Sequence, residues 1–186
     1  MSDEENSEII VDSNISFDEA VFGSNAPVEV IDRLVLLDVL YYSFDRAKHH
    51  GQIVINYVLE DDICEIFSVI EKLKFPIGKV VPIVRYAWRD QASMAANNCS
   101  GFNFRFIEGT SNLSLHAYGR AVDLNPVQNP IIYQDGRIAP PGKSYNPTKP
   151  GTLTDDNPVL AEFLKRGWQW GGNFEKVKDY HHFQKP

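Results

Sequence analysis

Residues 114–125, which read SLHAYGRAVDLN, decide the fold and the chemistry expected of this chain. The segment is predicted to form two short extended pieces around a tight turn. Because side chains alternate between the two faces of a strand, Asp123 should point away from Val122 and Leu124, which face the core. His116 and Asp123 are then expected to converge on one side of a small sheet.

A second segment near the C-terminus, residues 179–184 (DYHHFQ), offers the third metal ligand. Either His182 or His181 can complete the set, and only one of them should do so because consecutive residues in a strand face opposite ways. Two histidines and one carboxylate with an open fourth position suit a catalytic Zn²⁺ ion. The sequence therefore predicts one zinc ion per chain and a zinc peptidase.

Asp179 stands three residues before His182 and is predicted to be the general acid/base. A carboxylate that is close to the metal without binding it can take a proton from water and pass it to the leaving amine. The simpler interpretation is a solvent-exposed loop acid, since Lys176 and Lys178 are its neighbours. The presence of both histidine-containing segments in one chain favours the catalytic interpretation.

Length and composition indicate one globular domain: the chain has 186 residues, of which 43% are hydrophobic and 12% aromatic. Residues 1–22 contain seven acidic residues and no Lys or Arg, so they account for the whole net charge of −7. We expect these residues to be a mobile acidic segment and residues 23–186 to be the metallopeptidase domain. The rest of the chain has no run of Lys and Arg, which argues against a nucleic-acid-binding protein.

Membrane and redox features are sparse. No segment has the apolar length needed to span a bilayer, and the acidic start of the chain is unlike a secretory signal. Cys64 and Cys99 lack the CxxC spacing of a structural zinc site. A bridge between these two cysteines stays open, because a disulfide depends on geometry that the sequence does not give.

Hydrophobic periodicity predicts an order of helices and strands around the site. Residues 60–74 are the clearest helix, with further helices at 90–96 and 158–166; strands are expected at 33–44 (where helix stays open), 51–58, 79–87 and 101–107. Residues 126–157 contain many prolines and are predicted to form a long, irregular surface loop. A loop of that length is usually functional or mobile.

The two motifs together resemble a known family. The matching residues are Ser114, His116, Gly119, Ala121 and Asp123, then Trp170-Gly171-Gly172, then Asp179, His182 and Phe183. This pattern is similar to that of the zinc D-alanyl-D-alanine carboxypeptidases, a family that includes D-Ala-D-Ala dipeptidases and L-alanyl-D-glutamate endopeptidases. Its fold is shared with the hedgehog signalling domain. The similarity extends over most of residues 30–186.

The resemblance implies an α+β fold, in which a small antiparallel sheet carries the zinc site and is backed by helices (hedgehog/DD-peptidase-like). It implies that His116, Asp123 and His182 are the zinc ligands and that Asp179 is the catalytic acid/base. Many relatives also have an arginine that binds the substrate, within a motif that is not preserved here.

Arg105 is our choice for that arginine, because its predicted strand leads directly towards residues 114–116. Arginine suits the role since its planar fork pairs with a carboxylate or a developing oxyanion. Arg89 and Arg85 are the competing positions, and Arg89 has the simpler interpretation of a solvated residue at the start of a helix. Ser114, Arg89 and His181 are the further candidates for contact with substrate.

The expected function is hydrolysis of peptidoglycan stem peptides by a monomer. D-alanyl-D-alanine carboxypeptidase activity is the first choice and L-alanyl-D-glutamate endopeptidase activity the second. Such a substrate implies the periplasm or the cell wall, although the chain shows no signal peptide. Two other classes stay open: a non-catalytic zinc-containing binding module, and a structural zinc site closed by His181.

Overall fold

A computed structural model of the chain describes residues 8–186, which form a mixed α+β structure with several small sheets. The helices are α1 (Phe17–Val21), α2 (Val28–Ile31), α3 (Glu60–Lys72), α4 (Asp90–Ala95) and α5 (Pro158–Lys165), with 3₁₀ turns at Tyr57–Leu59, Ile83–Tyr86, Leu115–Tyr118 and Gly171–Asn173. The strands are β1 (Ile10–Val11), β2 (Leu34–Tyr42), β3 (Lys48–Asn56), β4 (Lys79–Val80), β5 (Asn98–Cys99), β6 (Ala121–Asp123), β7 (Ile131–Tyr133), β8 (Ile138–Ala139), β9 (Gln169–Trp170), β10 (Val177–Asp179) and β11 (His182–Gln184). The predicted helices at 60–74, 90–96 and 158–166 and the strands at 33–44 and 51–58 are confirmed within a few residues.

The main core lies between α3 and the hairpin that β2 and β3 form. These two strands pair antiparallel along their whole length, from Leu34 opposite Asn56 to Tyr42 opposite Lys48. The apolar stripe of α3, which includes Ile63 and Ile70, is fully buried against them. An amphipathic helix gains its stability by burying such a face. The helical spacing of the apolar residues in 60–74 was therefore enough to predict α3.

A three-stranded antiparallel sheet, in the order β6-β11-β9, joins the two motifs of the sequence. In it, Asp123 lies directly opposite His182, and Val122 lies opposite Phe183. Directly opposite residues share one face of a sheet. The apolar pair therefore faces the core, where Phe183 stacks on Phe163 of α5 at 3.8 Å between ring centroids, and the polar pair faces the other side.

Two of the predicted strands are wrong. Of residues 79–87 only β4 is extended; Pro82 then begins the 3₁₀ turn Ile83–Tyr86, because proline has no N–H for a sheet ladder. Residues 101–107 form no strand despite their alternating pattern, and their one β contact is the bridge between Phe106 and Leu113. Gly101 lies so close to β3 that an added Cβ would be 2.3 Å from the carbonyl oxygen of Val54.

The turn motif itself also differs from the expectation in its first half. Residues 115–118 form a 3₁₀ turn rather than an extended piece, because the Ser114 hydroxyl accepts a hydrogen bond from the backbone N–H of His116 and so caps the turn. Gly119 ends the turn at φ +64°, and an added Cβ there would lie 2.6 Å from the backbone nitrogen of Asn56. The second half, β6, is extended as predicted.

Residues 8–22 of the acidic segment contact the rest of the chain. Residues 1–7, the remainder of the segment expected to be mobile, lie outside the described part of the chain. Strand β1 pairs parallel with β3. Asp12 accepts hydrogen bonds from the Tyr41 hydroxyl and from Nδ1 of His49. Ser13 is buried and donates to Gln52 at 2.8 Å. The local composition gave no sign of these long-range side-chain contacts.

The proline-rich loop is held to the body by side-chain hydrogen bonds. The side-chain Nδ2 of Asn129 donates to the carbonyls of Leu124 and Asn125, which precede the loop, at 3.2 Å each. Within the loop it also donates to the Gly151 carbonyl at 3.0 Å, and its Oδ1 accepts from the Leu153 N–H at 2.7 Å. Tyr145 stacks on Tyr180 with 3.9 Å between ring centroids. The loop thus contains little regular structure, as predicted, apart from the β7–β8 hairpin.

Two further observations concern cysteines and membranes. Cys64 is exposed, Cys99 is buried, and both are free thiols. Burial raises the pKa of Cys99 to about 12, so its thiol stays protonated.

Among the described residues, no helix has the length and apolar character that a bilayer crossing requires.

We predict that Asp12→Ala destabilises the fold although Asp12 belongs to the acidic segment. The substitution leaves Tyr41 and His49 without the carboxylate to which both donate, and lost hydrogen bonds to a charged group cost about 1.5–3 kcal/mol. Chemical denaturation should show a fall of this size in the free energy of unfolding. The matched control is Asp18→Ala, which removes an exposed acid of the same segment and should change stability by about 0.5 kcal/mol or less. Equal effects of the two substitutions would contradict the contact.

Candidate metal centre

Three side-chain atoms converge in one place, as a metal site requires. His116 Nε2 lies 3.2 Å from Asp123 Oδ1 and 3.2 Å from His182 Nδ1, and His182 Nδ1 lies 3.1 Å from Asp123 Oδ1. All three residues are buried, and they are the group of potential ligands that stands out among the described residues. The prediction that these residues come together is thus confirmed by the geometry.

Each residue of the cluster is positioned by a short piece of backbone structure. The capped 3₁₀ turn presents His116, whose carbonyl accepts from the Asn103 N–H at 3.0 Å. Asp123 is fixed by two backbone hydrogen bonds with Ser100, at 2.9 and 3.2 Å. The position of His182 is set by the strand register, which places it opposite Asp123 in the sheet. His116 and Asp123 come from one motif, and His182 joins them from a segment distant in sequence.

Both histidines are oriented by an acceptor on the far side of the ring. Nδ1 of His116 lies 2.6 Å from the Gly101 carbonyl oxygen, which can only accept, so this nitrogen carries the proton. Nε2 of His182 lies 3.1 Å from Oε1 of Gln184. Such partners fix the tautomer of metal-binding histidines and raise their basicity. Once a cation displaces the proton held beside Asp123, the nitrogens that face this carboxylate can offer the cation their lone pairs.

The ionisation of Asp123 and that of the neighbouring histidines depend on each other. Burial disfavours ionisation of Asp123, but the imidazoles of His116 and His181 outweigh it and hold the pKa of this carboxyl well below its usual value. Burial likewise opposes a charge on His182, but the hydrogen bond and charge of Asp123 raise its pKa to about 9. A permanently ionised carboxylate at this depth needs a positive partner, which is a proton or a cation.

The donor set fits zinc. Ligand atoms that bind a tetrahedral Zn²⁺ at its usual distances lie about 3.3–3.6 Å from one another, and the observed separations of 3.1–3.2 Å come close to this. Two imidazole nitrogens and one carboxylate oxygen are typical ligands of catalytic zinc. The cluster can therefore hold a metal ion through His116, Asp123 and His182.

Asp179 and His181 form a pair beside the cluster. Nε2 of His181 lies 3.1 Å from Oδ1 of Asp179 and 3.9 Å from Oδ1 of Asp123. Nδ1 of His181 donates to the Asn129 carbonyl at 2.7 Å. His181 lies in the turn between β10 and β11, is buried between Asn129 and Asp179, and is outside the three-residue cluster.

The predicted substrate residues are not gathered at the cluster. Arg105 pairs with Asp90, whose Oδ1 lies 3.1 Å from the arginine Nε. Arg89 is exposed and donates to the Tyr86 carbonyl at 3.4 Å. Ser114 is buried and serves as the cap of the 3₁₀ turn. These contacts give Arg105, Arg89 and Ser114 structural partners, and none of the three contacts the ligand atoms of the cluster.

Three supporting groups were missed from the sequence: the Gly101 carbonyl, Gln184 and Asn129. Gln184 could have been found, because it lies two residues after His182 and so shares its face of the strand. The carbonyls of Gly101 and Asn129 are main-chain groups, which every residue type carries, so their role cannot be predicted from the type of residue.

Comparison with known families agrees with this geometry. Residues 108–185 match a family model described as D-alanyl-D-alanine carboxypeptidase. The matched part contains all three residues of the cluster and also Asp179. It confirms the resemblance to the zinc D-alanyl-D-alanine carboxypeptidase family and indicates a peptidase. Neither a curated protein nor a solved structure shows significant similarity to the chain.

The ligand assignment predicts how zinc content responds to substitution. His116→Ala and His182→Ala should each lose bound zinc, because two protein ligands hold the ion weakly, whereas His181→Ala should retain about one ion per chain. Elemental analysis of the purified variants measures this directly. His181→Ala is the matched control, since it removes a buried imidazole next in sequence. Full zinc in His116→Ala, or loss of zinc in His181→Ala, would contradict the assignment.

Proposed function

We propose that this chain is a zinc-dependent peptidase that hydrolyses peptidoglycan stem peptides, with D-alanyl-D-alanine carboxypeptidase activity as the first choice. The observation that carries the proposal is the buried triangle of His116, Asp123 and His182 within the segment that matches the family model. We place the protein where this substrate occurs, in the periplasm or cell wall, and expect it to act as a monomer.

Zinc, when bound, supplies a Lewis acid that polarises a carbonyl and lowers the pKa of water. The chain's own contribution begins with Asp179, which lies next to the cluster through His181. Oδ1 of Asp179 is buried and lies 3.1 Å from Nε2 of His181, without a hydrogen-bond partner among the described residues. We infer that Asp179 accepts the proton of the attacking water and delivers it to the leaving amine.

A hydrogen bond to the proline-rich loop holds His181 in place for this task. Its Nδ1–H donates to the carbonyl of Asn129, a residue of the proline-rich loop whose side chain is hydrogen-bonded to Gly151 and Leu153 of the same loop. The loop thereby supports the acid/base indirectly. This is the role we assign to His181, in place of the direct contact with substrate expected from the sequence.

Arg105 stays our candidate for stabilising the oxyanion. Its carbonyl accepts from the Ser114 N–H at 3.0 Å, so it lies on the segment next to the turn that presents His116. The side chain is partly exposed, at 29%. In this proposal the guanidinium of Arg105 leaves Asp90 when the substrate binds and contacts the substrate instead. It is thus paired with an anionic group both with and without substrate.

The alternatives differ in what they cleave. An L-alanyl-D-glutamate endopeptidase would cut the stem peptide internally, and a binding module would bind zinc and peptide without turnover. Incubation of the protein with a pentapeptide that ends in D-Ala-D-Ala, followed by mass spectrometry of the products, separates the three outcomes. Release of one terminal D-Ala supports the proposal, and an uncut peptide would contradict it.

Substitution of Asp179 tests its role as acid/base. Asp179→Asn keeps the size of the side chain but removes the basic oxygen, so turnover should fall on the order of 10²–10⁴-fold while zinc is retained. The measurement is kcat for release of D-Ala together with zinc content.

The control for this test is Asp155→Asn, which makes the same change at an exposed acid of the proline-rich loop and should leave kcat as it is in the original protein. If Asp179→Asn hydrolyses at the original rate, the assignment is wrong. If it loses zinc, Asp179 is a ligand instead.

A further inference from the structure

Two arms of the chain leave the flanks of the metal cluster. The first arm, residues 107–112, extends beyond the bridge between Phe106 and Leu113 and leads directly into the turn that presents His116. The second arm is the β7–β8 hairpin, whose strand β7 pairs with β10. Because β10 ends at Asp179, one arm is rooted at a metal ligand and the other at the proposed acid/base.

The second arm directs Tyr133 to the same side as Asp179. In the β7–β10 pair, Tyr133 lies opposite Val177, and Ile131 lies opposite Asp179. Directly opposite residues share a face, and so do residues two apart in one strand. The Tyr133 side chain therefore projects from the face that carries the Asp179 carboxylate.

The tips of the two arms are in contact. The Tyr133 hydroxyl donates to Oε2 of Glu108 at 3.0 Å. The Arg137 guanidinium lies 4.4 Å from the Tyr133 ring centroid and 3.9 Å from Oε1 of Glu108. We call these three residues, Glu108, Tyr133 and Arg137, the clasp.

The charges around the clasp suit a hydrogen bond that persists at neutral pH. Burial, the hydrogen bond to Glu108 and the charge of Asp179 together raise the pKa of Tyr133 to about 12, so the phenol stays a donor. Glu108 and Arg137 are both well exposed, at 67% and 62% of their side-chain surface. The clasp is thus a surface contact that joins the two arms.

We propose that the two arms flank the path of the substrate to the cluster, and that the clasp closes one end of this cleft and thereby restricts the site to the ends of peptide chains. A cleft that is open at both ends admits a chain running through it, whereas a cleft closed at one end admits only a terminus. Tyr133 is then a specificity-determining residue, because its hydroxyl supplies the hydrogen bond between the arms. The inference rests on the proposed function and assigns the selectivity of that same site.

The expected effect is moderate because the contact is exposed. Loss of one hydrogen bond of this kind corresponds to about a fivefold change in an equilibrium between closed and open arms. Opening of the arms should raise the ratio of internal to terminal cleavage by about this factor. Cleavage of the terminal bond should change little, since the clasp leaves the metal cluster and Asp179 in place.

The test uses two peptides and two clasp variants. One peptide ends in a free D-Ala-D-Ala, and the other carries the same sequence extended beyond the second D-Ala by several residues. Values of kcat/KM for both peptides are measured for the full chain, for Tyr133→Phe and for Glu108→Ala. Tyr57→Phe is the matched control, because it deletes the hydroxyl of an exposed tyrosine in the 3₁₀ turn Tyr57–Leu59.

The inference is supported if both clasp variants raise the ratio of internal to terminal cleavage while Tyr57→Phe does not. It is overturned if the original protein is active and the ratio is the same in all variants, or if both activities fall together. Failure of the proposed function looks different, because the original protein then cleaves neither peptide. Zinc content of each variant establishes that the centre is intact.

Discussion

The buried carboxylate of Asp123 is the constraint on which the rest of the site depends. It is only 2% exposed and lies within hydrogen-bonding distance of two imidazole nitrogens. A buried charge without a positive partner costs several kcal/mol or more. Two histidines contact this carboxylate, and the other ring nitrogen of each lies within hydrogen-bonding distance of an acceptor. The arrangement is therefore suited to binding a cation. In the metal-free protein the raised pKa of His182 lets a proton take part of that role.

This constraint explains why such distant segments are tied together. The register of β6 against β11 sets Asp123 opposite His182. The Gly101 carbonyl orients His116, and only a glycine allows that segment to approach β3 so closely. The proline-rich loop reaches the same centre through Asn129 and His181. Each of these contacts spans a long sequence separation, and together they give the site a single geometry.

The sequence was informative where local spacing decides the structure. The period of residues 60–74 predicted α3, and the alternation of residues 121–125 predicted that Asp123 faces away from Val122. Both patterns depend on residues that are neighbours in the sequence. The sequence was misleading where other segments decide. Residues 101–107 alternate like a strand, but their backbone is used to contact β3 and the turn at His116. Asp12 and Ser13 read as part of an acidic tail, although their partners Tyr41, His49 and Gln52 lie far along the chain.

The measurement that tests the central claim most directly is hydrolysis before and after removal of metal. The purified protein is assayed for release of D-Ala from a pentapeptide ending in D-Ala-D-Ala, then dialysed against a chelator, and finally supplied with one equivalent of Zn²⁺. Our account predicts activity that is lost on chelation and restored by zinc. Hydrolysis that continues at the same rate after the metal has been removed would contradict it.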